Sequence, residues 1–262
     1  MRGMAVIGNL TRDVVDGGAP RVGGAPYHAA RALRLLGGRT RVLARCAEAD
    51  RRALLPPLVA LGVPVLWRAA ARTASFSLRY QGEERTLELD DPGTPWSIPD
   101  AGSVGRSEWI QLGGLTRGDF PAEVLASLAR DRRLALDGQA LVRPARTGEL
   151  VLDADYDRAV LEHLTVLKLA QEEVEALGGE AVAEALEIPE LLLTYGSRGA
   201  VLVIGGRRER IAVRKIETTN PTGAGDAFLA GYVWARAAGH RPLSAARNAG
   251  TIASRVLELA HE

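Results

Sequence analysis

Toward its C-terminal end the chain reads Thr222-Gly223-Ala224-Gly225-Asp226-Ala227-Phe228: small residues, an acid, then a long apolar run. Successive backbone N–H groups in such a turn converge on an anion. The N-terminus of a following helix adds partial positive charge at the same point. Gly223 and Gly225 carry no Cβ, so a ligand can approach the backbone, and Ala224 is small enough to keep that approach open. Asp226 stands where a carboxylate can take a proton from a hydroxyl attacking a bound phosphate. A plainer reading of the same residues is a helix N-cap after an ordinary Gly-rich turn. Both readings put a helix here, and its run Ala227 to Ala235 is apolar almost all round, which predicts a buried helix.

The elements that must carry this turn alternate. A buried strand over 4–8 is followed by a polar, Gly-rich stretch over 9–24. The pattern then predicts a helix over 26–36, a strand over 41–44, a helix over 50–61 and a strand over 63–67. After a Pro/Gly-rich connector (92–99) come a strand over 109–112, a helix over 122–130, a strand over 134–136, and Asp137-Gly138-Gln139. Next are a helix over 159–164, a strand over 166–169, helices over 171–177 and 181–186, and a strand over 190–194. A turn over 195–199 precedes a hairpin over 200–204 and 208–213, and helices over 226–238 and 244–259 close the chain. This rhythm predicts βαβ units and a mostly parallel sheet between helix layers, an α/β fold. The stretch 73–89 breaks it: two alternating strands flank Gln81-Gly82-Glu83-Glu84, a hairpin that acts as a lid, a dimer clasp or an edge extension of the main sheet.

A chain of 262 residues, 47% hydrophobic and 25% charged, supports a sizeable globular core as one domain. A net charge of +1 supplies no bulk field for nucleic acid or an anionic membrane. The lone Cys46 excludes an internal disulfide. No signal-like h-region and no bilayer-length apolar run is present, so a cytoplasmic location is expected. A dinucleotide-binding turn is excluded, because Gly8 is followed by Asn9-Leu10-Thr11 and not by a Gly-x-Gly-x-x-Gly turn.

In this order the motifs resemble those of the ribokinase-like (PfkB) family of sugar and nucleoside kinases, over nearly the full length. The resemblance implies one three-layer domain, 1–262, with a small β lid contributed by about 11–22 and 73–89. It implies that Gly223, Ala224 and Gly225 form the anion hole and that Asp226 is the general base. Gly23 and Gly24 match the family's glycine pair and Asp13 its hydroxyl-binding Asp; Tyr27, His28 and Gln111 complete the implied acceptor site. On the nucleotide side the resemblance implies Lys168, Thr194, Gly196, Gly199, Asn248 and Thr251. It implies an ATP-dependent transfer to a primary hydroxyl of a small sugar, polyol or nucleoside, with Mg²⁺ held through water by Glu173; the lid hairpin either clasps a twofold partner into a homodimer or acts alone. Three positions depart from the family pattern: Asn220 in place of Asp, Ala170 in place of Asn, and His28 in place of an Asn facing the sugar. Asn220 and Ala170 motivate an alternative, a catalytically weak binding protein of the same fold.

Overall fold

The computed structural model describes residues 3–38, 40–81, 84–216 and 222–259. The first half of the chain runs β1 (Met4–Asn9), β2 (Thr11–Val15), β3 (Arg21–Gly23), α1 (Ala25–Leu33), β4 (Thr40–Ala47), α2 (Arg51–Val59), β5 (Val65–Ala70), β6 (Ala74–Gln81) and β7 (Glu84–Asp91). It continues through α3 (Ile98–Gly102), β8 (Trp109–Gly113), α4 (Ala122–Ala129), β9 (Arg133–Asp137), α5 (Gln139–Val142) and β10 (Gly148–Glu149). The rest comprises β11 (Val166–Ala170), α6 (Gln171–Ala176), α7 (Glu180–Glu184), β12 (Glu190–Thr194), β13 (Ala200–Ile204), β14 (Arg207–Ile211), α8 (Ala224–Ala237) and α9 (Pro242–Glu258).

A nine-stranded sheet forms the middle layer in the order β14-β13-β12-β11-β9-β8-β1-β4-β5. From β5 to β12 every pairing is parallel; β13 and β14 close one edge as an antiparallel hairpin. Side chains on β1 alternate between faces, as strand geometry requires. Met4 and Val6 pack with residues of α1, α8 and α9, whereas Ala5 and Ile7 pack with those of α3 and α4. Helices on both faces explain why the central strands are apolar throughout instead of alternating.

The chain leaves β1 in opposite directions: through β4 and β5 on one side, through β8, β9, β11 and β12 on the other. In open α/β sheets the crevice lies at such a reversal, beyond the carboxyl ends of the strands. A second sheet, ordered β10-β7-β6-β2-β3, stands over that end. Its strands β2 and β3 come from about the segment 11–22 and β6 and β7 from about 73–89, of which Gly82 and Glu83 lie outside the described residues. Its inner face buries Ala74, Phe76, Leu78 and Leu89 against Leu115. Its outer face carries the Arg79–Glu88 ion pair at 3.4 Å and the Ser77–Asp90 hydrogen bond at 2.8 Å.

Several boundaries differ from the sequence reading. Segment 159–164 is a 3-10 turn, Arg158–His163, where Asp157 caps the backbone of Ala159. The connector after β7 gives way to α3 once Ser97 accepts from the Asp100 N–H. The helix expected from Asp226 begins at Ala224, because left-handed Gly223 (φ 83°) supplies the N-cap. Among the described residues no helix is long and apolar enough to cross a membrane.

Candidate active site

The α8 N-terminus points into the crevice. Its first helical bond runs from the Ala227 N–H to the Gly223 carbonyl at 2.9 Å, so the N–H groups of Ala224, Gly225 and Asp226 lie ahead of the ladder. No side chain caps this end, and Asp226 sits inside the first turn rather than at the N-cap. The plain-cap reading of Asp226 therefore does not hold. Gly223 is obligatory in two ways. Its φ is left-handed, and a Cβ there would lie 2.3 Å from His28 Nδ1. Below, Gln111 is fully buried and donates through Nε2 to the Asp226 carbonyl at 3.4 Å. Behind, α8 is fixed by Tyr232, which donates to Glu190 Oε2 at 2.6 Å, and by the Arg236–Glu190 ion pair at 2.6 Å. Phe228, Leu229 and Val233 are buried, and truncating one such residue costs about 2–5 kcal/mol, so the helix is a rigid mount.

The cleft in front of this helix has a volume of about 500 Å³, within the range of small-molecule sites. One wall is apolar: Phe76, Leu78 and Leu87 of the small sheet together with Leu115. The other presents Asp13, His28 and Asp226, each with a buried oxygen or nitrogen (Asp13 Oδ1, His28 Nδ1, Asp226 Oδ1) that has no hydrogen-bond partner among the described residues. Buried polar atoms are ordinarily paired, so three on one wall mark where a polar ligand fits. Gly24 keeps this wall compact: at φ 88° it passes so near the Asn9 carbonyl that a Cβ would lie 2.3 Å from it.

Electrostatics follow from burial. Burial, then the Asp137 charge, push the Asp226 carboxyl up to about 7, against Lys168 and Arg143. Burial raises Asp13 to about 6, against the neighbouring Thr11 hydroxyl and Arg143. Burial, with help from Arg31, lowers His28 to about 4, so its ring is neutral near pH 7. At the floor Lys168 Nζ donates to both oxygens of Asp137 at 2.9 Å and lies 3.7 Å from Glu173. Burial works against that ammonium, but Asp137 and then Glu173 outweigh it and hold it protonated. Glu173 also accepts from the Ala170 N–H at 2.7 Å, and burial raises it to about 7.

The structure brings Asp13, Gly24, His28, Lys168, Glu173, Thr194, Gly196, Gly223, Gly225 and Asp226 into one cleft lining. Gly23 lies beneath the Asp13 carboxylate, where a Cβ would collide with Oδ2 at 1.9 Å. Ala224 contributes backbone at the helix start. Other residues of the sequence reading lie elsewhere. Tyr27 packs edge-on to His28 against the core. Gln111 acts beneath the helix. Gly199 closes the hairpin, with a Cβ position 2.3 Å from the Ile211 carbonyl. Asn248 is half-buried on α9 outside the cleft lining, and the exposed Thr251 hydroxyl donates to the Arg247 carbonyl on its own helix. Asn220 lies outside the described residues.

Sequence reading missed Asp137, Gln139 and Arg143, all of which line the cleft. A usable signal existed for Asp137: an acid ending a parallel strand lies at the crevice by topology alone. Gln139 follows it and donates to the Gly114 carbonyl at 2.8 Å.

The sequence model described as pfkB family carbohydrate kinase matches residues 16–259. A fructokinase of Escherichia coli is 27% identical over 235 residues, covering 82% of this chain and 76% of that protein. An inositol 3-kinase of Zea mays is 28% identical over 193 residues, covering 71% of this chain and 48% of that one. A solved sulfate complex of a pyrophosphate-dependent kinase in the ribokinase family is 25% identical with a TM-score of 0.84, covering 97% of this chain and 95% of that one.

Proposed function

The chain belongs to the pfkB family of carbohydrate kinases and is a phosphotransferase with an alcohol acceptor, and on that premise we propose that it phosphorylates a cyclic polyol or sugar from a compact donor, inorganic pyrophosphate. The observation that carries the transfer step is the buried, unpartnered Asp226 Oδ1 beside the N–H groups that precede the α8 ladder. Asp226 takes the acceptor proton as the hydroxyl attacks; a carboxyl poised near 7 is well matched to that task. The N–H groups of Ala224 to Asp226 hold the charge on the phosphoryl oxygens from fixed positions. Asp13 and the neutral His28 orient ring hydroxyls, while Phe76, Leu78, Leu87 and Leu115 take the C–H face and exclude water. The charged outer face of the small sheet fits a flap over its own cleft better than a dimer clasp.

Two observations support a compact donor. The cleft lining runs along Ala170, Gln171, Glu172, Thr194, Tyr195 and Gly196 and includes no α9 residue. The segment after β14 lies directly on α9: a Cβ at Gly250 would be 3.0 Å from Val213 Cγ1, and Ser254 donates to the Arg214 carbonyl at 3.2 Å. Among the described residues that leaves no slot for a base between them. The solved pyrophosphate-dependent relative covers this chain nearly end to end. ATP, expected from the resemblance, is the second reading; it is favoured by Tyr195, whose ring lines the donor end.

No three His, Cys, Asp or Glu side chains among the described residues converge as a metal cage. Glu172 and Glu173 at the wall would hold magnesium through water. When bound there, the ion would spread the donor's negative charge.

The deciding experiment offers pyrophosphate or ATP with a panel of inositols, hexoses, ribose and nucleosides, and follows the phosphorylated product. Product from myo-inositol or a hexose with pyrophosphate is expected. Product from ATP alone transfers the donor assignment to ATP, and saturable binding without product from any pair sinks the enzyme reading.

A further inference from the structure

Resting on the phosphotransfer reading, one cationic side chain of the cleft has no role yet. The ionisable lining sets five carboxylates against two cations, Lys168 and Arg143, with His28 neutral. A polyphosphate entering such a cleft gains from a cation that is free to meet it. Lys168 is not free: Asp137 occupies it through both oxygens and Glu173 stands behind. Arg143 differs. It is half-buried, lines the cleft, and its side chain makes no hydrogen bond or ion pair with any described residue.

Its root, in contrast, is held. The Arg143 N–H donates to the Gln139 carbonyl at 3.0 Å, and its own carbonyl accepts from the Arg117 N–H at 2.7 Å. It follows the one-turn helix α5, which starts just after Asp137. Its charge is felt by Asp13 on the acceptor wall, by Asp226 at the helix N-terminus and by Glu173 on the donor side. Arg143 therefore lines the cleft within electrostatic reach of the acceptor wall, the helix N-terminus and the donor side, between which the group in transit must pass. A planar guanidinium suits that position, because its fork matches two oxygens of a phosphoryl group and its charge does not titrate.

We propose that Arg143 is a catalytic residue of this kinase, binding the non-bridging oxygens of the phosphoryl group during transfer. The acceptor oxygen forms the new P–O bond as its proton passes to Asp226. The P–O bond to the donor breaks, and the leaving phosphate keeps that electron pair. Arg143 neutralises charge on the three equatorial oxygens between the two events, a cation supplied in cis where Lys168 is already committed. The anion hole grips the same group from the helix side, so backbone N–H groups and a side-chain cation share the charge of one trigonal centre.

The test uses full-length protein with the donor and acceptor that wild type turns over best. Arg143→Ala should lower kcat by roughly 10²–10³-fold while the acceptor KM stays within about threefold. Arg143→Lys should recover part of the loss, and added guanidinium ion should raise Arg143→Ala turnover in a saturable way, which a merely structural role would not produce. If Arg143→Ala melts below the assay temperature, Arg143→Gln and Arg143→Lys carry the same kcat comparison. A kcat within about threefold of wild type overturns the assignment, as does a loss confined to the acceptor KM, which would make Arg143 an acceptor reader instead. Failure of the premise is distinguishable: in that case wild type itself gives no product with either donor.

Discussion

The two long helices at the C-terminal end pack against each other yet are built for different work. α9 starts as isolated helices prefer, with Arg241 extended at the N-cap and Pro242 in the first turn, and buries only one stripe, including Ala245, Ala246 and Ala249. α8 starts on left-handed Gly223 with no side-chain cap, is buried nearly all round, and aims its open donors at the cleft. The lesson concerns what is left unsatisfied. Neither helix has a side-chain cap; α9 starts outside the cleft lining on a proline that has no N–H to satisfy, whereas α8 leaves its first N–H groups without partners among the described residues at a crevice, where they hold a place for an anion.

The sharpest way to break the contrast is Asp226→Asn. Turnover should fall by roughly 10³-fold or more while donor binding persists. The variant should also melt higher than wild type at pH 8. Folded Asp226 holds its proton up to about 7, whereas the unfolded residue releases it near 3.8. Folding therefore takes up a proton between those values, and this residue's contribution to stability falls as pH rises through that window. Asn removes the buried charge and with it that loss. For the same reason wild-type kcat/KM should climb about tenfold per pH unit up to about 7 and level off above. A flat profile from pH 5 to 8, or a variant retaining turnover within a few-fold of wild type, assigns the base elsewhere.

Next in size is Gly223→Ala. A non-glycine residue at φ 83° costs about 1–2 kcal/mol, and the new methyl would press on the His28 ring. Both effects displace the N–H groups that define the α8 end, so turnover should drop by about 10²-fold with a lower Tm. Adding His28→Ala should return part of the stability and little of the turnover, because contact is relieved but backbone strain is not. Full recovery of turnover in the double variant would mean that the loop geometry matters less than the contrast between the helices implies.

Much of this was legible in the chain because periodicity reports burial directly. The apolar strands and the run after Asp226 announced a doubly covered sheet and its buried helix, and the glycines around Asp226 marked the left-handed turn that opens it. What stayed hidden depends on where distant segments meet. Arg143 follows a helix of one turn, too short to leave a period, and nothing in Gln139-Ala140-Leu141-Val142 says that the next residue lines the same cleft as Asp226. Lys168 was visible as a cation, but its engagement by Asp137 arises from the pairing of β9 with β11 across 31 residues. On the donor side, Asn248 and Thr251 shared a helix with residues that do pack, and helical pattern alone could not tell which way each faced.

The smallest expected effects fall on α9. Thr251→Ala removes an exposed hydroxyl whose bond stays within its own helix, and Asn248→Ala a half-buried amide outside the cleft lining. Such substitutions ordinarily shift stability by less than about 0.5 kcal/mol, and the donor KM should stay within about twofold of wild type. The value of this pair lies in its asymmetry. If α9 is only a packing helix, neither variant changes the choice between pyrophosphate and ATP. If either raises the KM for ATP tenfold while pyrophosphate is unaffected, a base rests on α9 after all, the segment after β14 must move to admit it, and the two helices divide the nucleotide between them, one holding its phosphates and the other its ring.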